Sequence, residues 1–562
     1  MSLRAVFAVA LLAAAGVARA GDTPPGYAVA SAHPLATQAG LDILAAGGNA
    51  FDAAVAVSAA LGVVEPAGSG FGGGGFFLLH RYSDGLDTFV DGRETAPRKA
   101  TANMYLDASG KADAKASTIG MLAAAIPAQP ALLDYVARKY GSKPLAVLLA
   151  PAIRYAREGF AVDAKLARAF AATWPYLTPE TIRVMAIDGH APAAGDVLRQ
   201  PELAHTLELL AERGRAGFYE GETGDRLLAG VAAGGGIWTP EDFRRYKVIE
   251  RAPLITWLRD YRIVTAPPPS AGGVTLAETF GQLEALGWSS DQGSINKHLL
   301  VEAWRRAYHD RASFLGDPDF VSVPLYRLIA RSHALDLARD IERKRATPSS
   351  ALEAPAHEGS NTSHFSIVDA QGNRVAATQT INTYFGCGCM APGIGVLLNN
   401  EMDDFSAAVE ASNSYGLIGS KANAIAPGKR PLSSMTPSFV EGPRGLLVLG
   451  TPGGARITTM VALGILEWIN GGDAAAVVGR PRYHHQYLPD KIEFEPGALS
   501  DDEQALLSVM GHPLAPHEPY GNMHAVWWDA RQDHLEAASD PRGVGRAAVV
   551  LTPKNGLPPP AK

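Results

Sequence analysis

The sequence predicts a mixed α/β (α+β) fold, with two sheets covered by helices around one shared core. Three features carry this. Helical patterns followed by strands open the chain, strands followed by helical patterns close it, and the long middle, residues 100–345, reads as mostly helical with Gly/Pro punctuation. Length alone, 562 residues, would divide into two or three domains. Strands at both ends instead favour a common layered core over separate beads.

The elements follow in order. Residues 21–33 form a short lead-in. Pro34 to Ala46 is helical, with Leu35, Leu41, Ile43 and Leu44 apolar and Gly47-Gly48 as its stop. Asn49 caps a second helix from Ala50 to Leu61, apolar enough to be buried. Phe76–Arg81 and Leu86–Val90 form a hairpin about Ser83-Asp84-Gly85. Asn296 to Leu315 reads as a strongly amphipathic helix. Residues 346–360 have no periodicity and read as an exposed, flexible segment leading to Thr362. Strands are then expected at 364–369, 374–382, 395–398, 437–449 and 525–528.

Charge and targeting signals bound the function. The net charge is −7, and no Lys/Arg run exceeds three residues, which argues against nucleic acid or an anionic membrane as partner. Arg4, the apolar run Ala5–Val17 and Ala18-Arg19-Ala20 have the form of a signal peptide cut after Ala20, so the chain reads as a periplasmic or secreted soluble protein. The two cysteines, Cys387 and Cys389, cannot make a disulfide framework. A C-x-C bridge lies near the limit of disulfide geometry, so they read as small packing residues in a strand.

The chemistry gathers around Thr362. Either it merely starts a strand, or it is a nucleophile whose base is its own α-amine, which exists only once the Asn361–Thr362 bond is cut. "GTPGGARI" at 450–457 offers two adjacent glycine amides, Gly453 and Gly454, suited to an oxyanion, or is a plain turn. "DGRETAP" at 91–97 places Arg93 after a hairpin strand, where its planar fork could take a carboxylate. "NNEMDDF" at 399–405 brings Glu401 and Asp404, able to hold an ammonium, and "KRPLSSMTP" brings the adjacent hydroxyls of Ser433 and Ser434. "GSGFGGGGF" lacks the Lys-Ser/Thr ending of a phosphate loop, and the adjacent histidines of "RYHHQ" point to opposite faces of a strand, a poor metal signal.

Together with "HPLATQAGLDILAAGGNAFDAAVAV", "PPPSAGG", "RRAYHDRASFLGDPDF", "TSHFSIVD", "PRYHHQYLPD" and "ASDPR", these motifs make the chain resemble the γ-glutamyltranspeptidases, a family of N-terminal-nucleophile hydrolases. The resemblance implies a four-layer αββα sandwich made of two chains from one precursor, 21–361 and 362–562, the cut falling between Asn361 and Thr362. It implies Thr362 as nucleophile, Thr380 as the hydroxyl supporting its amine, and Gly453 and Gly454 as the oxyanion hole. Arg93, Ser433 and Ser434 would bind the donor's α-carboxylate, and Asn382, Glu401 and Asp404 its α-ammonium. Tyr415 matches a lid loop present in some members. Donors would be glutathione or other γ-glutamyl compounds, acceptors water, amino acids or peptides, with no cofactor and no metal. Ser363 departs from the family's usual Thr but keeps the hydroxyl; the Cys387/Cys389 pair has no counterpart. Two alternatives are a glutaryl or cephalosporin acylase on the same scaffold and a non-catalytic homologue.

Overall fold

The computed structural model describes residues 23–289, 293, 295–352, 362–406 and 421–552. The predicted signal peptide, Asn361 and Tyr415 lie outside the described residues.

Two antiparallel sheets carry the fold. Their strands are β1 (Gly26–Ser31), β2 (Gly74–Arg81), β3 (Leu86–Gly92), β4 (Ile249–Arg251), β5 (Leu254–Leu258), β6 (Tyr261–Thr265), β7 (Ser363–Val368), β8 (Arg374–Thr380), β9 (Ser438–Gly442), β10 (Gly445–Gly450), β11 (His524–Asp529), β12 (His534–Ser539) and β13 (Arg546–Leu551). The first sheet runs β13-β1-β7-β8-β2-β3-β4 and the second β12-β11-β10-β9-β6-β5. Six helices matter most below: α1 (Pro34–Ala45), α2 (Ala50–Val64), α3 (Leu145–Glu158), α4 (Gly272–Ala285), α5 (Ile295–Phe314) and α6 (Ile457–Ile469).

Strand alternation makes the layers. In β2, Phe77 and Leu79 pack with α1, α2 and α3, while Phe76 and Leu78 face the second sheet's Ile263, Phe439 and Leu447. Leu276 and Phe280 of α4, with Val461 and Ile465 of α6, close the opposite side. The stacking is helix, sheet, sheet, helix, as expected. The first sheet also interleaves the chain: β7 and β8, after residue 362, lie between β1 and β2 from before it. Each half therefore completes the other's hydrogen-bond ladder.

Local chemistry explains the elements that were legible. Asn49 and Asp52 form a reciprocal capping box at the start of α2, and every residue of that Ala/Val-rich helix is buried. The hairpin lies where the sequence places it, with each arm extended toward the site.

Several expectations are corrected. The lead-in at 21–33 contains β1, which pairs on both sides, and the helical middle contains β4, β5 and β6. The single strand expected at 437–449 is the hairpin β9–β10, turned at 442–445, where Gly445 has φ +97°. At 395–398 only isolated bridges form, Met390 with Leu397 and Gly72 with Leu398. The segment from 346 is not wholly loose: Ala346 N–H donates to Met510 O at 2.7 Å and Ser349 N–H to Asp490 at 2.7 Å. Cys387 and Cys389 are joined as a disulfide, with Cα atoms 5.3 Å apart, in a turn rather than a strand. Gly386 and Gly388, both at positive φ, curl that turn so the two sulfurs meet.

Helix α5 is not amphipathic but buried around most of its circumference. Its charges are paired internally: Glu302 meets Arg305 at 3.2 Å and Arg306 at 2.7 Å. Burial alone would raise the Glu302 carboxyl, but the arginines and Thr347 override it and hold it down to about 2. The unfolded value is about 4.3, so the folded pKa is depressed. The stabilisation is present above that value and is lost as pH falls from about 4 toward 2. Replacing Glu302 with Gln leaves two buried guanidiniums short of a counter-charge, a loss of about 3–5 kcal/mol at pH 7. Thermal melts should show Glu302→Gln well below wild type at pH 7, with a smaller further drop than wild type between pH 5 and pH 2.

Candidate active site

The site begins with strand register. Ser363 of β7 pairs with Gln379 of β8, so Thr362, one residue earlier, falls beside Thr380. The two hydroxyl oxygens are 3.4 Å apart, and Thr380 Oγ1 also accepts the Asn382 N–H at 2.8 Å. Asn382 turns the chain out of β8 with φ +74°, a left-handed conformation that Asn tolerates better than most residues. Its side-chain amide donates to Asn400 O at 3.0 Å, tying this turn to the acidic segment. Ser363 uses the hydroxyl that its departure from the family pattern keeps: it donates to Glu65 at 2.5 Å, and Glu65 holds Lys165 at 3.0 Å.

Opposite Thr362, β10 ends and Gly453 (φ +141°) and Gly454 (φ +56°) lead into α6. Both angles are in the left-handed region that favours glycine. Among the described residues neither glycine amide donates a hydrogen bond. Both lie at the N-terminal end of α6, where unpaired N–H groups and the helix dipole favour negative charge. The Tyr308 hydroxyl of α5 donates to Ala455 O and pins the turn.

The third part is a buried charge cluster. Arg93, directly after β3, is fully buried and pairs with Glu401 through Nη1 and with Asp404 through Nη2. Its Nε–H donates to Pro431 O at 3.1 Å. Glu94, also fully buried, lies 3.5 Å from Arg93 Nη1. Three carboxylates thus share one guanidinium. Burial first, then their mutual repulsion, raises Glu94 and Glu401 above the usual carboxylate range, with Arg93 opposing. Ser433 is positioned by its N–H to Pro269 O at 2.8 Å, and its Oγ accepts the Met435 N–H at 3.1 Å.

One cavity of ≈ 20 Å³ is lined by Arg93, Thr362, Thr380, Asn382, Glu401, Asp404, Ser433, Ser434 and Gly454. Gly453 lines a second cavity that also reaches Thr362. The sequence reading missed Glu94 and Arg311. Arg311 lines the first cavity, reaches Ser434 Oγ at 3.5 Å, and is held down to about 10 by burial. Each stood within a quoted motif, but nothing in the sequence separates a buried charge there from a solvated one.

Fold and site define the class, an αββα hydrolase of the N-terminal-nucleophile kind. The family model "Gamma-glutamyltranspeptidase" matches residues 36–550, and the chain belongs to that family. It is 42% identical to a glutathione hydrolase proenzyme of Pseudomonas sp. (strain A14), over 92% of this chain and 93% of the relative. It is 41% identical to the glutathione hydrolase proenzyme of Escherichia coli (strain K12), over 92% and 90%. Among solved structures it resembles a cephalosporin acylase from Bacillus halodurans, with TM-score 0.82, 28% identity and coverage of 94% and 96%. It also resembles Helicobacter pylori gamma-glutamyltranspeptidase, with TM-score 0.55, 37% identity and coverage of 57% of this chain and 94% of that one.

The charge cluster gives a test that needs no substrate. Arg93→Met leaves three buried carboxyls without their cation and should cost about 3–5 kcal/mol. Adding Glu401→Gln to Arg93→Met removes one of the stranded charges, so the double variant should melt above Arg93→Met alone. Equal melting temperatures for the two would mean the cluster is not electrostatically coupled.

Proposed function

We propose that the protein is an autoprocessed γ-glutamyltransferase and glutathione hydrolase. One observation carries the reading: a strand-end threonine shares a cavity with a glycine amide at a helix N-terminus and with a buried arginine–carboxylate cluster. The donor's amino-acid end would lie in the charged part, its α-carboxylate on Arg93 with Ser433 and Ser434, its α-ammonium on Glu401 and Asp404 with Asn382. Burial and repulsion hold Glu94 and Glu401 above the ordinary carboxylate range, and an incoming ammonium would favour the charged form of Glu401 beside Asp404. That places the γ-carbonyl beside Thr362.

Thr362 Oγ1 then attacks the carbon of the γ-carbonyl. The carbon–oxygen bond forms, and the tetrahedral oxyanion is held by the Gly453 and Gly454 amides. The Thr362 α-amine takes the hydroxyl proton and passes it to the departing amine as the carbon–nitrogen bond breaks. Thr380 steadies the nucleophile's end of the strand. Water, an amino acid or a peptide attacks the resulting ester and regenerates Thr362.

The α-amine must first be made. Thr362 Oγ1 attacks the Asn361 carbonyl carbon, the acyl group shifts from nitrogen to oxygen, and water opens the ester, giving chains 21–361 and 362–562. The relatives' designation as proenzymes supports this maturation. So does the Helicobacter pylori chain, which is matched over 94% of itself yet covers only 57% of this one. Export to the periplasm or medium rests on the N-terminal pattern of Arg4, the Ala-rich run and Ala18-Arg19-Ala20. Among the described residues no helix is long and apolar enough to cross a membrane. Thr362→Ala should remain one chain on a denaturing gel, while wild type gives two, the smaller starting at Thr362 by N-terminal sequencing. Cleavage of Thr362→Ala at the same bond would refute the intramolecular route.

The structural likeness to a cephalosporin acylase favours a second reading, an acylase acting on glutaryl groups. Glu401 and Asp404 decide between them, since a glutaryl chain has no ammonium to hold. Removing one partner of a desolvated charge pair costs about 2–5 kcal/mol. Asp404→Asn should therefore cut kcat/KM for γ-glutamyl-p-nitroanilide by about 30-fold or more. The corresponding glutaryl anilide, poor with wild type, should fall much less. An equal fall for both would remove Asp404 from ammonium recognition, and a wild-type preference for the glutaryl donor would favour the acylase.

A further inference from the structure

Glu278 takes no part in the donor cavity. It lies in the middle of α4, is 1% exposed, and neither of its carboxylate oxygens has a hydrogen-bond partner among the described residues. Burying a carboxyl without a partner is costly. Burial first, then the nearby Asp310, raises the group well above the usual carboxylate range, with Arg327 opposing. Arg327 makes no hydrogen bond to it and lies instead over the Phe314 ring at 4.5 Å. The same face of α4 is short of donors one turn to either side, where Thr275 Oγ1 and Gln282 Oε1 are buried and unpartnered as well.

Two neighbours make this carboxyl part of a cluster. Asp310 comes from α5, which packs against α4 and accepts the Gln282 side-chain amide at Ala303 O, at 3.2 Å. His333 comes from the helix Arg331–Arg339, which packs against α4 as well. His333 Nε2 lies 2.6 Å from Asp310 Oδ2 and 3.8 Å from Glu278 Oε1. One imidazole nitrogen and two carboxylate oxygens thus fall within 4.8 Å of one another. Asp310 is buried like Glu278, and the His333 side chain is 17% exposed, so solvent reaches the cluster on the histidine's side. His333 and Asp310 satisfy each other as a hydrogen-bonded pair, but that pairing does nothing for Glu278. A second such group, His298, Glu302 and His512, differs: Glu302 is committed to Arg305 and Arg306, and His298 bonds His512 and Glu342 O at 2.8 and 2.7 Å.

We propose that Glu278, Asp310 and His333 form a structural zinc site that ties α4, α5 and the helix Arg331–Arg339 together. A divalent cation answers all three side chains at once. Two carboxylates and an imidazole suit zinc or manganese, and the cluster holds no thiolate for copper(I). Calcium takes about six to eight oxygens, more than two carboxylates supply. Tetrahedral zinc at about 2.0–2.2 Å from each ligand sets donor atoms about 3.3 Å apart, between the 2.6 and 3.8 Å found here, and three protein ligands leave one position for water. None of the three residues lines the cavity at Thr362, and no step of the transfer reaction runs through the ion. Its bearing on that site is mechanical: α5 also carries Arg311, which lines the cavity, and Tyr308, whose hydroxyl holds Ala455 next to Gly454.

The test uses the untagged full protein, dialysed against a chelator, returned to chelator-free buffer and titrated with ZnCl2. After desalting, elemental mass spectrometry should count one zinc per protein molecule. Restoring zinc should raise the melting temperature by several degrees, since the ion binds the folded state. MgCl2 or CaCl2 at the same concentration should not replace it. CoCl2 should give the intense visible absorption of four-coordinate cobalt, bleached by ZnCl2. Glu278→Gln and His333→Gln should each weaken zinc binding by more than the about 10–100-fold that losing an outer-shell partner costs. His333 lies on the solvent side of the cluster, so its variant tests the site with little disturbance of the core. A wild type that retains no zinc after desalting overturns the proposal. So does zinc held as tightly by His333→Gln as by wild type.

Discussion

Arg93 is the fixed point on which the site depends. Its guanidinium is removed from water and meets Glu401, Asp404 and Glu94 around its rim. A lone buried cation would be prohibitive, and so would three lone buried acids; each makes the other tolerable. The partners come from distant stretches, one following β3 and the others in the turn after residue 400. Satisfying the cluster therefore fixes how the two halves of the chain approach. Burial and mutual repulsion hold Glu94 and Glu401 above the ordinary carboxylate range, so a cation entering the pocket would draw them toward their charged form.

Much of this was legible because the signals were local. A capping asparagine and a hairpin turn each announce themselves within a few residues, and α1, α2, β2, β3, β7 and β8 lie close to where the sequence places them. The two strands about the tight turn at 370–373 were legible, whereas the pairing of Thr362 with Thr380 is a matter of register that the structure supplies. What was missed depends on partners far away in sequence. β1 looked like a lead-in because its neighbours, β7 and β13, lie more than three hundred residues on. β5 and β6 were lost in a stretch whose helices dominate. The pattern of α5 was misjudged because its charges look solvated in sequence, whereas Arg305, Arg306 and Glu302 pair with one another inside the core. Glu94 and Arg311 were passed over for the same reason. The cysteine pair followed from two positive-φ glycines that composition does not reveal.

The comparisons add identity over nearly the whole chain, and the geometry says what each part of the site supplies physically. The sheet register delivers the hydroxyls, the helix terminus delivers the amides, and the charge cluster delivers orientation. Related scaffolds can therefore keep the fold while differing in the groups that face the ligand.

The interleaving of strands bears on the cut at Thr362. β7 begins one residue after the proposed scissile bond, yet it is bonded on both sides, to β1 and to β8, and β8 in turn to β2. Severing the chain there would open one connection and break no ladder. The two products would stay joined by hydrogen bonds along β1–β7 and β8–β2 and by the side chains packed across both faces of the first sheet. The new amine would then be held by a strand bonded on both sides, opposite a helix N-terminus. A nucleophile that must serve as its own base needs that rigidity, because its geometry has to be the same in every turnover, and a terminus on an edge strand or a loop would fray.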